Sequence, residues 1–307
     1  MNKMLNIISK KNIWLSISGV FIAVSLVFLI IWGLNLGIDF TGGSLLEVRF
    51  TESVPAPDQV KSSLAELGLE GEVTVQPTEQ VGYIIRFQDI TEETHQEIVS
   101  KLKDSFPATE DGGVNLEEER FEAIGPSIGQ ELRSRAIYAI LIVLIAIVAY
   151  IAWAFRKISW PIKSWKYGVI AVVTLFHDIF ITLGIFALLG AVLKVEVGLP
   201  FVAALLTILG YSVNDTIVVF DRIRENLSRL SKSDFEGLVN RSVNETITRS
   251  INTSLTTLLV LLAIFFFGGV TIKYFILALI CGVALGTYSS IFVASPLLVV
   301  WERFSRK

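Results

Sequence analysis

Cysteine and histidine are nearly absent, with one Cys and two His in 307 residues. With Cys281 alone, no intrachain disulfide can form, so any water-exposed part must hold together by packing. Cys281 itself sits inside an apolar run and reads as a small apolar filler. The same scarcity leaves no metal-ligand cluster and no nucleophile triad. No metal, no cofactor and no enzymatic activity are therefore expected. The Gly-rich turn at 37–43 lacks the Gly-Lys-Ser/Thr ending of a phosphate loop, which argues against a nucleotide site. Charge is also thin: 18% of residues are charged and 52% hydrophobic, with a mean hydropathy of +0.63, too apolar for an ordinary soluble globule.

What the chain does have is long apolar runs. About 20 helical residues cross the roughly 30 Å hydrocarbon core of a bilayer. Six stretches qualify: Ile13–Gly33, Ala136–Phe155, Tyr167–Leu193, Phe201–Phe220, Ile251–Phe267 and Tyr274–Trp301. Backbone groups in lipid must bond within their own segment, so these runs predict helices and not barrel strands. Lys3, Lys10 and Lys11 ahead of the first run imitate a signal peptide. That run is too long for one and no A-x-A-like site follows, which predicts an uncleaved signal anchor.

Residues 35–135 carry 20 acidic and 8 basic side chains, whereas the remainder carries 9 acidic and 18 basic. The acidic stretch is unsuited to nucleic acid. Lys and Arg crowd the N-terminus, the loop after the second span (Arg156, Lys157, Lys163, Lys166), the segment after the fourth (Arg222, Arg224, Arg229, Lys232, Arg241, Arg249) and the tail (Arg303, Arg306, Lys307). The opposite short loops hold only Lys194 and Lys273. By the positive-inside rule both termini are cytoplasmic and the acidic domain, 35–133, is extracytoplasmic.

Within that domain Ser44–Thr51 alternates as a strand, and Ala56–Leu67 reads as an amphipathic helix. Glu72–Gln76 and Tyr83–Gln88 are β-rich, Glu92–Phe106 is a second helix stopped by Pro107, and Leu116–Ile124 is a last strand. The order β-α-β-β-α-β is the split arrangement of ferredoxin-like domains, with both helices on one sheet face. His95 lies in the second of these helices and is expected to be solvated. In the segment 221–249, Ser233 and Glu236 have capping-box spacing ahead of Phe235, Leu238, Val239 and Val243. A helix lying at the inner membrane face and leading into the fifth span is expected.

Three spans carry polar stripes at helical spacing: Thr174, Asp178 and Thr182; Thr207, Tyr211, Asn214 and Asp215; Arg249, Thr253, Thr256 and Thr257. Equal periods predict that these faces meet away from lipid. An ionised Asp in mid-span costs about 2.5–3.5 kcal/mol, so Asp178 and Asp215 need a partner, water or a proton. Motion of Arg249 relative to Asp215 would switch that carboxyl between holding and releasing a proton, the requirement for proton-coupled work. The bland alternative is a static Asp215–Arg249 ion pair, with Asp178, beside His177, a satisfied acceptor. Ala278, Gly282, Gly286 and Ser290 form a small-residue ladder suited to close helix packing.

Four motifs carry a resemblance: GIDFTGG at 37–43, GPSIGQEL at 125–132, HDIFITLG at 177–184 and LGYSVNDTIVVFDRIREN at 209–226. Their order, spacing and reach over nearly the whole chain resemble the SecD/SecF family of bacterial protein export, on the SecF side. The resemblance implies six transmembrane helices with a ferredoxin-like extracytoplasmic domain, akin to one half of the resistance–nodulation–division transporters. It implies SecD as a heteromeric partner, the SecYEG channel and YajC as associates, and unfolded preproteins as cargo moved with the proton-motive force across the plasma membrane. The family's proposed proton pathway falls on Asp215 and Arg249, with Asp178 a further candidate. Thr174, Thr182, Tyr211, Asn214 and Thr253 would support it; Gly37, Asp39, Gly42, Gly43 and His177 belong to the family motifs. Two rivals are a small-molecule exporter, disfavoured by a single outer domain beside only six helices, and a membrane sensor or scaffold that moves no ion.

Overall fold

The computed structural model describes residues 4–69, 71, 73–78, 81–107, 115–154, 156, 163–229 and 234–306. Ser233, expected to open a capping box, lies outside these, as do Glu72, Phe155, Lys3, Lys157, Lys232 and Lys307. Two compact units divide the chain, Met1–Asn35 with Ile137–Lys307, and Leu36–Ala136.

The helical unit begins with α1 (Lys11–Ile31). In the smaller unit come the short α2 (Ile38–Thr41), α3 (Pro57–Ala65) and α4 (Glu92–Ser105), and α5 (Pro126–Ala154) follows. Then come α6 (Ser164–Leu193), α7 (Leu199–Arg229), α8 (Phe235–Phe267) and α9 (Val270–Ser289). A π turn, Ser290–Ala294, joins α9 to α10 (Ser295–Arg306). Six helical stretches are long and apolar enough to cross a membrane, matching the six apolar runs in the sequence. The core joins Tyr167, Leu175, Leu209, Phe220, Val239 and Leu298. Only 6% of the most apolar window of α5 is buried, with Ile137, Leu141, Ile142 and Ile145 exposed along it. A helix apolar all round and packed so little suits lipid or a partner helix.

Two details differ from expectation. The segment after the fourth span is not a separate surface helix: α7 continues to Arg229, and α8 runs unbroken for 33 residues. Asp234 caps α8 by accepting from Gly237 N at 2.9 Å. The amphipathic face was read correctly, since Phe235, Leu238, Val239 and Val243 are buried, and nothing in the sequence after Val243 breaks the helix. The sixth span, read as one helix, is interrupted by the π turn.

The smaller unit has strands β1 (Gly43–Phe50), β2 (Thr74–Pro77), β3 (Gly82–Phe87) and β4 (Leu116–Ile124), all antiparallel, in the order β2-β3-β1-β4. With α3 and α4 between them, the chain order is the expected β-α-β-β-α-β. Leu46, Val48, Phe50, Tyr83, Ile85 and Leu116 face Val60, Leu64, Ile98 and Leu102 of the two helices. The helices therefore cover one sheet face. His95 is not solvated: it is 4% exposed, stacked on Phe121 with centroids 3.7 Å apart and planes 4° apart. Its two ring nitrogens lie 3.1 Å from Glu92 and 3.2 Å from Glu118.

The Gly pair at the head of β1 has a steric explanation. Gly42 has φ +77° and Gly43 φ +127°, backbone regions that side chains disfavour. A Cβ on Gly42 would lie 2.7 Å from Pro126 Cα, and one on Gly43 2.8 Å from the Phe87 carbonyl oxygen. Gly37 caps α2, its carbonyl accepting from Phe40 N and Thr41 N, and Asp39 lies within that short helix. These motif residues shape a chain crossing.

Candidate functional site

Two aspartates of the apolar runs, Asp178 and Asp215, are held by different neighbours. Asp178, on α6, is fully buried. Its Oδ2 accepts from Ser212 Oγ of α7 at 2.5 Å and from Ser289 Oγ of α9 at 2.8 Å. Its Oδ1 lies 2.9 Å from His177 Nδ1. Thr174 and Thr182 flank it on the same buried face, but their hydroxyls turn back on their own helix, to the carbonyls of Ile170 and Asp178 at 2.8 Å each. Only the carboxylate reaches across helices. The His177 ring lies against Tyr288, centroids 6.1 Å apart, and the Tyr288 hydroxyl is 3.0 Å from Ser18 of α1.

Asp215, on α7, is half-buried. Its Oδ1 accepts from Ser250 Oγ of α8 at 2.5 Å, and its Oδ2 accepts from Ser290 Oγ at the start of the π turn. Three helices thus converge on one carboxyl group. Beside it opens a small recess lined by Tyr211, Asn214, Asp215, Val218, Arg249, Ser250, Thr253 and Ser254. The sequence-derived residues Asp215, Arg249, Tyr211, Asn214 and Thr253 are therefore brought together, while Asp178 and His177 form a separate buried cluster. No ion pair within 4.0 Å joins Asp215 to Arg249 among the described residues, so the static pair is not what holds this carboxylate. Serine hydroxyls do.

A hydrogen bond to a charged group contributes about 1.5–3 kcal/mol, so two together, about 3–6 kcal/mol, equal or exceed the roughly 2.5–3.5 kcal/mol cost of an ionised Asp in a membrane. Loss of either serine bond would leave about 1.5–3 kcal/mol set against that cost. The recess continues into hydroxyl-bearing neighbours. Tyr211 OH is 3.4 Å from both Ser254 and Thr257, Ser254 bonds Thr287, and the Thr287 hydroxyl donates to Val283 O at 2.9 Å.

The α6 stripe is buried throughout, whereas on α7 and α8 Thr207, Asn214, Arg249, Thr253 and Thr256 are exposed, so those two faces are not enclosed as expected. The hydroxyls of Thr207, Thr253 and Thr256 bond carbonyls of their own helices at 2.8–2.9 Å. Ser212, Ser250 and Ser289 lie off the predicted stripes, and Ser290, on the small-residue ladder, bonds a carboxylate as well as standing in the packing seam. The rest of the ladder does pack: a Cβ on Gly286 would lie 2.9 Å from Ser212 Cβ, and one on Gly282 would strike Ile208 of α7. Cys281 is partly buried among these residues. Among the described residues no group of His, Cys, Asp and Glu is arranged to hold a metal.

Comparison with known proteins bears on this arrangement. Residues 105–304 match the family model for the C-terminal part of the protein export membrane proteins SecD/SecF, and residues 27–54 match the SecD/SecF GG motif. The protein translocase subunit SecF of Thermobaculum terrenum is 42% identical over 97% of this chain and 94% of its own. The SecF of Haemophilus influenzae is 38% identical over 91% of this chain and 80% of its own. The crystal structure of SecDF, a translocon-associated membrane protein of Thermus thermophilus, superposes with TM-score 0.82 at 35% identity. That match covers 98% of this chain and 39% of the longer SecDF chain. The chain belongs to the SecD/SecF family of protein-export membrane proteins.

Proposed function

We propose that this chain is the SecF subunit of a protein translocase, working with SecD and beside SecYEG to draw unfolded preproteins outward at the expense of the proton-motive force. The observation that carries the reading is Asp215: a carboxylate gripped by hydroxyls from two other helices, at a recess that also holds Arg249. Protonation removes the charge that those hydroxyls stabilise, loosening α7 from α8 and α9. About 2.3 kcal/mol is available per charge per 100 mV, comparable to the bonds concerned. The chain moves protons and segments and catalyses no covalent step.

The topology proposed with this has both termini in the cytoplasm and the acidic domain outside the plasma membrane, as the Lys and Arg distribution supports. The strand order β2-β3-β1-β4 with two helices on one face supports a ferredoxin-like fold for that domain. The test is preprotein translocation into vesicles bearing this chain with SecD and SecYEG, with and without an imposed proton gradient. Asp215→Asn should abolish the gradient-dependent part; full retention removes Asp215 from the mechanism.

A further inference from the structure

Asp178 and Asp215 are held by adjacent residues of one helix. Ser289 Oγ donates to Asp178 and Ser290 Oγ to Asp215. Successive residues of a helix point about 100° apart, so a consecutive pair is suited to reaching two carboxylates on different sides. Each hydroxyl also has a second acceptor. Ser289 Oγ is 3.2 Å from Gly286 O, and Ser290 Oγ is 3.0 Å from Thr287 O. A serine has one hydroxyl hydrogen, so each must divide it between a carboxylate and a carbonyl three residues back. When the carboxyl carries a proton it can donate to the serine oxygen, and the serine hydrogen is then free for the carbonyl. The hydroxyl thus takes one of two orientations according to the charge it faces.

The position of the pair gives that choice a consequence. Ser289 ends α9 and Ser290 opens the π turn, where Ser295 Oγ donates to Ser290 O at 3.1 Å. π turns are rare and concentrate at functional sites. The carbonyls that gain or lose the serine hydrogens, Gly286 and Thr287, are in the last turn before the register changes.

We propose that Ser289 and Ser290 are positioning residues that couple the proton occupancy of Asp215 to the state of the buried Asp178–His177 pair. The coupling deepens the functional reading above, since it regulates the same carboxyl, but it is a property of this chain that exists whether or not translocation uses it. The ionisable groups facing Asp215 are Arg249 from α8 and Tyr211 from its own helix. Those facing Asp178 are His177 beside it and, against that imidazole, Tyr288 from α9. Residues 12–31 of α1, which packs on α6, contain no charged side chain.

The experiment is pH-difference infrared spectroscopy of the full chain in lipid, with the protonated carboxyl band of Asp215 identified by its loss in Asp215→Asn. Asp178→Asn should move the titration midpoint of that band by about one pH unit, a tenfold change in proton affinity. In the Ser289→Ala, Ser290→Ala background the same Asp178→Asn change should move it less than about twofold. Ser289→Thr with Ser290→Thr, which keeps both hydroxyls, should restore the full shift. If the double alanine variant does not fold, Ser289→Ala alone tests the link, because it cuts only the arm to Asp178. A shift that survives loss of the serines, or no shift on Asp178→Asn, overturns the proposal. Retained gradient-driven translocation in Asp215→Asn would instead defeat the functional reading and leave this measurement standing.

Discussion

Replacing Asp178 by Ala or by Asn changes the same position in two ways whose costs can be worked out bond by bond. In Asp178→Ala the carboxylate disappears and three neighbours lose an acceptor or partner. Ser289 has an alternative in Gly286 O at 3.2 Å, so it is not stranded. Ser212 Oγ and His177 Nδ1 are left without the atoms that engage them at 2.5 and 2.9 Å. Each buried unsatisfied group costs about 1–3 kcal/mol, which predicts a loss of about 4 kcal/mol. In Asp178→Asn the amide oxygen can replace Oδ2 and still accept from both serines. The amide NH2 then faces His177 Nδ1, which becomes an acceptor when the neutral imidazole takes its other tautomer. The expected loss is about 1 kcal/mol. Equilibrium unfolding of the full chain in mixed micelles should thus separate the variants by about 3 kcal/mol. Equal destabilisation would refute the account, since it would mean that the charge itself, and not acceptor geometry, holds α6 to α7 and α9.

Gly286→Ala should cost about 1–3 kcal/mol in the same assay, because the new methyl group would stand 2.9 Å from Ser212 Cβ and 3.1 Å from its Cα and push α7 from α9. Gly42→Ala should destabilise the small domain by about 2 kcal/mol or more, combining a positive φ with collision against Pro126, and proteolysis of that domain in the intact chain would report it. Glu47 gives a pH test. Its burial, opposed by Arg120 across the strand pair, raises its carboxyl above the ordinary value, so the folded form holds the proton more tightly than the unfolded. Its contribution is therefore most favourable below about pH 4 and declines as pH rises from the unfolded value through the raised folded one. Glu47→Gln should leave thermal unfolding of the domain unchanged at low pH and raise its midpoint at neutral pH; the reverse order would contradict the burial argument.

Much of the architecture was legible because it depends on signals local to the chain. Apolar runs of membrane-spanning length need no knowledge of neighbours, and the alternation of Ser44–Thr51 against the helical period of Glu92–Phe106 separates strand from helix directly. Burial of His95 was not legible, because it rests on stacking with Phe121 from a strand that follows much later in the chain. The π turn leaves no mark in composition, since one extra residue per turn changes register without changing residue type.

The candidate site shows why a polar stripe is an incomplete guide to chemistry in a membrane helix. Periodicity picks out residues on one face, and it found Asp178, Asp215 and Arg249. It cannot say whether a hydroxyl will reach across to a neighbour or turn back on its own helix. Thr174, Thr182, Thr207 and Thr253 all turn back, each bonding the carbonyl four residues earlier. Ser212, Ser250, Ser289 and Ser290 reach across, and they do so where small residues let the helices approach. Gly286, one turn before Ser290, is part of that approach: without a Cβ it admits the Ser212 backbone. The small-residue ladder and the carboxylate grip are therefore one feature. Close packing brings a serine within bonding distance of an aspartate, and the aspartate's acceptor oxygens tie the helices together at that seam.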